Sequence, residues 1–247
     1  MIPDRSTAEP DPAAADPVIA DPAAVAPAAP VAIALSKDPT LEYEQELFGA
    51  GASIVIGIDE VGRGAIAGPV AVGVHAVLAG TREFPEGLRD SKLLSEKRRE
   101  ILAPLVAAWG GGAVGYASAE EIDTRGITGM LGEAARRALL ELHRSGVPVD
   151  RAVIILDGSH DWLTPSLRAP LDVRTRVGAD RSCASVAAAS VRAKVARDAL
   201  MREAHDAHPE YAWDSNKGYG SKAHFAGIAG HGLTELHRHT WIKTAPR

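Results

Sequence analysis

With 247 residues and a formal net charge of −5, the chain is long enough for one domain of about 200 residues and a sizeable core. No stretch approaches the ~18 uninterrupted apolar residues of a membrane-spanning helix. The single cysteine, Cys183, excludes an intramolecular disulfide framework and fits a reducing, cytoplasmic setting. The net charge hides an uneven distribution. Residues 1–36 carry five acids and one base, a net of −4, whereas residues 181–247 carry ten Lys/Arg against six Asp/Glu, a net of +4. Contact with a polyanion is therefore sought in the C-terminal region.

Residues 1–36 are nearly all Ala, Pro, Asp and Val, with prolines at 3, 10, 12, 17, 22, 27 and 30. Prolines remove backbone donors and no aromatic residue seeds a core, so this segment is predicted to be a disordered tail. Acids and prolines interrupt it where a secretory signal would be continuously apolar. A short helix is predicted over 40–47 with Thr40 as its cap and Glu42 and Glu44 in its first turn. The apolar run 54–58 (IVIGI) reads as a buried strand ending in Asp59-Glu60, with glycines at 62, 64 and 68 beyond. Adjacent strand residues face opposite ways, so both acids serve one site only if the strand bends or stops there. A second strand over 69–78 makes an antiparallel hairpin with the first. The polar loop 89–94 (RDSKLL) leads to a helix capped by Ser95 and stopped by the glycines at 110–112.

A third strand over 113–118 is followed by capping-box spacing from Ser118 to Glu121. An amphipathic helix over 128–144 places Met130, Ala134, Ala138 and Leu142 on one face. Strands over 152–156 and 171–177 follow, the first ending on Asp157 and the second leading to Asp180. An alanine-rich helix covers 184–205, and a polar loop with Asn216-Lys217-Gly218-Tyr219-Gly220 precedes a helix capped by Ser221. The order describes an α/β domain with a mixed sheet.

Asp59, Glu60, Asp157 and Asp180 all fall at or just past predicted strand ends, which gather on one edge in an open α/β sheet. Carboxylates within ~4 Å repel by roughly 4 kcal/mol per pair at an effective dielectric near 20, so a shared site needs protons or cations. Oxygen-only donors suit Mg²⁺ or Mn²⁺. Two such ions can support phosphodiester hydrolysis.

The segments GIDEVGRGAIAGPV, DSKLLSEKR, ILDGS, AAASVRAKVARD and NKGYGS, with the Asp180 segment between the third and fourth, resemble bacterial ribonuclease HII in order and spacing. The match runs from about Leu41 to Trp241. The resemblance implies a ribonuclease H-like fold, a mixed central sheet flanked by helices with a C-terminal helical extension. On that basis residues 41–180 are the catalytic core and residues 181–247 a helical part with a basic substrate-binding surface. The implied activity is a metal-dependent endoribonuclease of RNA–DNA hybrids that also nicks duplex DNA 5′ of embedded ribonucleotides. It would leave 3′-hydroxyl and 5′-phosphate ends by a two-metal-ion mechanism with Mg²⁺ or Mn²⁺, as a cytoplasmic monomer.

By position, Asp59, Glu60 and Asp157 match the family's metal-binding acids and Asp180 its fourth catalytic acid. Gly62-Arg63-Gly64 matches the segment that reads the 2′-hydroxyl, Lys92 a phosphate contact, and Tyr219 the tyrosine that stacks on the sugar at the RNA–DNA junction. Two positions depart from the family. Gly178 stands where a lysine usually precedes the fourth acid by two residues, which leaves Arg176 or Arg181 to supply the charge. Ser159 stands where many members have Asn.

Two rival readings use the same residues: another metal-dependent nuclease or nucleotidyl-transfer enzyme on this fold, and a non-catalytic hybrid-binding module. Four acids disfavour the second. Arg192, Lys194 and Arg197 on the alanine-rich helix divide evenly between a solvated face and phosphate contact. His231, His237 and His239 lack the spacing of a zinc site and are assigned to packing or surface. Cys183, without a paired base, is read as a packed side chain.

Overall fold

A computed structural model describes residues 38–242; the tail expected over 1–36 lies outside the described residues. Five strands form one mixed sheet: β1 (Ile54–Val61), β2 (Val70–Leu78), β3 (Gly112–Ala117), β4 (Val153–Asp157) and β5 (Asp172–Arg176), in the order β3-β2-β1-β4-β5. β1 and β2 form the expected antiparallel hairpin and β2 pairs antiparallel with β3. β4 pairs in parallel with β1 on one side and β5 on the other. The C-terminal ends of β1, β4 and β5 therefore lie on one sheet edge.

Alternation along β1 and β4 sorts their side chains between two layers. Ile54, Ile56 and Ile58, with Ile154 and Leu156, pack against α4 (Ile127–Arg144) through Met130, Leu131, Ala134, Ala138 and Leu142. Each of the Ile, Leu and Met side chains, removed from water, contributes roughly 1.5–3 kcal/mol. Val55, Val153 and Ile155 face the other way and meet Val186 of α6 (Ala184–Ala207). Further along α6, Ala187, Ala188 and Val191 pack against Leu102 and Val106 of α2 (Glu96–Trp109).

Two glycines set how closely α6 approaches the sheet. A Cβ at Gly57 would stand 2.3 Å from the backbone of Ser185, and one at Gly73 would stand 2.2 Å from the carbonyl oxygen of Ala189. The alanines of α6 and the bare backbone of β1 and β2 together bring helix and sheet into direct contact. The same strand face carries Asp59 and Asp157 to the α6 side.

The caps at Ser95, Ser118 and Ser221 form as predicted. Each side chain accepts an amide N–H three residues on, at 3.3, 3.1 and 3.1 Å, and Ser118 with Glu121 completes a capping box ahead of α3 (Ala119–Arg125). Thr40 stands one residue before the cap position, which Leu41 holds, and its hydroxyl accepts the Glu42 amide at 3.3 Å. The helix α1 (Glu42–Gly49) begins one residue later than expected, and the backbone of Thr40 also bridges Cys183. Glu44, read as a helix-dipole acid, is fully buried and accepts the amide of Ser185 at 2.8 Å, capping the start of α6 from a distant element. Its burial raises its pKa.

Candidate active site

β1 does not stop at its first acid. Its pairing with β4 ends at Ile58, while its pairing with β2 continues through Asp59, Glu60 and Val61. Asp59 thus lies where one neighbour strand has left off, on the α6 face beside Asp157. Alternation turns Glu60 to the opposite face. Asp59 is 2% exposed, and burial together with the charge of Glu60 pushes its pKa up to about 8. Burial also raises Glu60, with the charge of Asp157 adding to the rise. Asp157 is raised by burial and by the Asp180 charge.

Asp180 arrives from the turn after β5. Gly178 occupies the left-handed region, at φ 68° and ψ 29°, where glycine costs nothing and a lysine would be strained. The turn starts a short helix, α5 (Ala179–Ser182), whose amides at Ala179 and Asp180 donate to the Asp157 carboxylate at 2.7 and 3.4 Å. Asp157 and Asp180 are therefore held together by the backbone.

Lys92 stands among these acids. Its ammonium donates to Asp180 at 3.2 Å, and although burial works against its charge, the carboxylates of Asp59, Asp90 and Asp180 outweigh that and raise its pKa. Neither arginine expected to replace the missing lysine charge joins the acids directly. Arg176 lies over the Tyr43 ring, 4.4 Å from its centroid, and Arg181 reaches Asp90 at 3.8 Å. Among the described residues, no three acid, histidine or cysteine side chains converge closely enough to hold one ion as placed. The donor set nonetheless suits a hard cation: carboxylates from three strand ends, of which Asp59, Glu60 and Asp157 are raised in pKa by burial and by neighbouring acids.

Next to the acids, the segment 62–69 is fixed by two arginines that are fully buried. Arg238 donates to the carbonyl oxygens of Gly62 at 2.7 Å, Arg63 at 2.8 Å and Gly68 at 3.2 Å. Arg197 donates to those of Pro69 at 2.7 Å, Ala67 at 3.1 Å and Lys217 at 2.8 Å. Carbonyls drawn inward fix how this segment presents the rest of its backbone. Gly62, at φ 81°, is required on two counts, since its Cβ would meet Arg197 Nε at 2.1 Å. A Cβ on Gly64 would meet nothing within 4 Å, so open space faces that residue. The side chain of Arg63 is exposed and its guanidinium lies 3.7 Å from Glu60.

Tyr219 is brought to the same place. The Gly218 carbonyl accepts the amides of Ile66 and Ala67 at 2.9 and 3.1 Å, and the half-exposed Tyr219 ring has the Arg197 guanidinium 5.7 Å from its centroid. Behind it, His224 Nδ1 donates to the Tyr219 carbonyl at 2.9 Å, and Trp213 Nε1 donates to His224 Nε2 at 3.0 Å. His237 completes this packed cluster, its pKa lowered to about 4 by burial.

The structure brings Asp59, Asp157, Asp180 and Lys92 to one sheet edge with Glu60 next to them on the opposite face of β1, and the bonds from Ile66 and Ala67 to the Gly218 carbonyl set the segment bearing Gly62, Arg63 and Gly64 beside the loop bearing Tyr219. It turns Arg192, Lys194 and Arg197 inward. Arg192 donates to His75 and to the carbonyls of Val106 and Gly110, and Lys194 pairs with Asp198 at 2.6 Å. All three make internal contacts, where a solvated face was the ordinary reading. Sequence reasoning also missed Arg238. Arg238 stands in an ordinary polar run three residues after Glu235, and nothing local marked it for a structural duty.

A family model described as Ribonuclease HII matches residues 56–244. The chain is 46% identical over 205 residues to Ribonuclease HII of Streptomyces avermitilis, covering 82% of this chain and 83% of the relative. Among solved structures it is similar to the RNase HII of Archaeoglobus fulgidus, solved in complex with PCNA, with 26% identity and a TM-score of 0.61 over 78% of this chain and 98% of that one. It shares its fold with Bst-RNase HIII solved in complex with Mn²⁺, at 24% identity and a TM-score of 0.61, over 76% of this chain and 67% of that one.

Proposed function

The chain belongs to the ribonuclease HII family and is a ribonuclease H hydrolase, and from that premise we propose how it selects and cuts its substrate. It cleaves RNA in RNA–DNA hybrids and nicks duplex DNA on the 5′ side of embedded ribonucleotides, leaving 3′-hydroxyl and 5′-phosphate ends. The observation that carries this reading is the gathering of Asp59, Asp157 and Asp180 on one sheet edge beside the clamped segment 62–64. Asp59, Glu60, Asp157 and Asp180 hold two Mg²⁺ or Mn²⁺ ions, and the Mn²⁺ bound by Bst-RNase HIII on the same fold supports that choice. Such ions, when bound, lower the pKa of an attacking water and stabilise the leaving oxygen.

The chain's own residues do the recognition. Gly62-Arg63-Gly64 presents main-chain groups to the 2′-hydroxyl, the mark that separates RNA from DNA. Lys92 and the exposed Arg63 side chain meet phosphates, and Tyr219 stacks on the sugar across the junction. Attack by water leaves the 2′-hydroxyl unused in the chemistry, so it is free to serve as the signal. Residues 41–180 carry the acids, residues 181–247 carry Tyr219 and the arginines that hold the recognition segment, and residues 1–36 are dispensable. The protein acts as a cytoplasmic monomer. No described helix is long and apolar enough to cross a membrane, and the single cysteine, Cys183, is a buried free thiol, consistent with a reducing compartment.

A panel of RNA–DNA hybrid, single-ribonucleotide duplex and plain DNA, each with Mg²⁺ and with chelator, tests the reading. Metal-dependent cutting of the first two alone is expected. Cutting of plain DNA at a similar rate would favour a general nuclease on this fold.

A further inference from the structure

The loop that carries Lys92 and the short helix α5 that carries Asp180 present opposite charges to each other in crossed order. Lys92 donates to Asp180 at 3.2 Å, and Arg181, the residue after Asp180, faces Asp90 at 3.8 Å. The two ends of this second pair differ. Asp90 is fully buried, whereas the Arg181 side chain is 54% exposed. One oxygen of Asp90 is used within its own loop, where Oδ1 accepts the Lys92 amide at 3.0 Å and starts the turn that carries Lys92. The other oxygen, Oδ2, is buried without a hydrogen-bond partner among the described residues, and it is the atom that faces Arg181. A buried carboxylate costs free energy unless a positive charge compensates it.

We propose that Arg181 is a positioning residue: through Asp90 it holds the Lys92 loop against α5, so that the Lys92 ammonium is set beside Asp180. The far side of the loop is tied to α6, where Ser91 Oγ lies 2.8 Å from Ser190 Oγ. Among the described hydrogen bonds and ion pairs, those of Lys92 and Arg181 join the near side to α5. Arg181 has the right footing for this. Its amide donates to the Gly178 carbonyl at 3.1 Å, so its backbone belongs to the same turn that sets Asp180 and holds Asp157. Glycine at 178 leaves that turn without a cation of its own, and Arg181 supplies one that acts on the facing loop and not on the acids. The inference rests on the reading of Lys92 and Asp180 as site residues, and it names what sets one against the other.

The test is a pair of double-variant cycles on the full chain. In the first, kcat and KM are measured with Mg²⁺ on a single-ribonucleotide duplex for Arg181→Ala, Lys92→Ala and the two combined. Arg181→Ala alone is expected to lower kcat/KM about tenfold, within the range that coupled neighbours show. Arg181→Lys, which keeps the charge, should restore most of that loss, and Arg181→Ala should cost little more once Lys92 is already alanine. Losses that multiply would mean that Arg181 meets the substrate itself, and wild-type kcat/KM in Arg181→Ala would leave it no part in the reaction; either overturns the proposal. The second cycle reads urea unfolding in chelator, apart from metal and turnover. Arg181→Ala should lower the midpoint of the wild type and leave that of Asp90→Asn nearly unchanged, because the Asn carries no charge for the arginine to meet. Equal shifts in the two backgrounds would overturn the proposal. If Asp90→Asn does not fold, the first cycle decides alone, since the Lys92 and Arg181 side chains are exposed and their variants leave the core intact. Full activity in Lys92→Ala would overturn the reading of Lys92 and the proposal with it, an outcome distinct from an impaired Lys92→Ala whose loss multiplies with that of Arg181→Ala.

Discussion

Asp157 shows what single residues do at this edge. Its carboxylate accepts two amides from α5 and lies near the charges of Asp180 and Lys92. Replacing it by Asn keeps the volume and removes one charge, so Asp157→Asn is expected to fold, to match or exceed the wild-type melting temperature in chelator, and to lose nearly all nicking activity. A fully active variant would remove the acid from the site. Tyr219 acts on selectivity. Loss of its ring should cost on the order of 1–3 kcal/mol, by analogy with base–aromatic stacking. Tyr219→Ala is therefore expected to slow nicking at a single ribonucleotide roughly 5–150-fold, and cleavage inside a long hybrid much less. Equal losses on the two substrates would mean the ring only packs. These residues were legible in the sequence because each sits in a short motif of fixed spacing.

At the scale of elements, the segment 62–69 has little regular structure of its own and takes its shape from α6 and the C-terminal residues. Arg197 and Arg238 make six of its restraints through carbonyls. Among the described residues the hydrogen bonds of both run to backbone carbonyls, and burial together with the Arg197 charge lowers the Arg238 pKa to about 10. Arg238→Met is expected to leave the carbonyls of Gly62, Arg63 and Gly68 without their donor, at about 1–3 kcal/mol for each buried group that finds no water. Urea unfolding should show that loss, and KM for a single-ribonucleotide duplex should rise more than kcat falls. A kcat-only effect would mean the clamp shapes the chemistry and not the recognition segment. Sequence periodicity located the strands, α4 and the serine caps, because those follow from local pattern. It could not assign Arg197 to the interior or Glu44 to the start of α6, because both pair with elements more than a hundred residues away.

Across the whole molecule, the parallel run β1-β4-β5 gathers acids at one edge, and that gathering sets a pH dependence. In the chelated protein the folded state keeps a proton on Asp59 up to about pH 8, whereas the unfolded chain releases it near pH 4. Between those values the folded state binds more protons, so stability falls as pH rises. Buried His75, its pKa lowered to about 3 chiefly by burial, and His237 work the other way only below about pH 6.5, the ordinary histidine value. Melting temperature in chelator should therefore fall from pH 6.5 to pH 8, and Asp59→Asn should flatten that fall; a decline of the same size in the variant would place its cause elsewhere. The charge total of residues 181–247 misled on one point, since Arg197, Lys217 and Arg238 are buried and add little to a basic surface. The central claim is metal-dependent hydrolysis at a bond marked by one 2′-hydroxyl, and cleavage mapping on an end-labelled duplex with a single ribonucleotide tests it most directly. The expected result is one cut on the 5′ side of the ribonucleotide, with 3′-hydroxyl and 5′-phosphate ends, abolished by chelator. A cut on its 3′ side with a cyclic phosphate end, or one that persists in chelator, would contradict it.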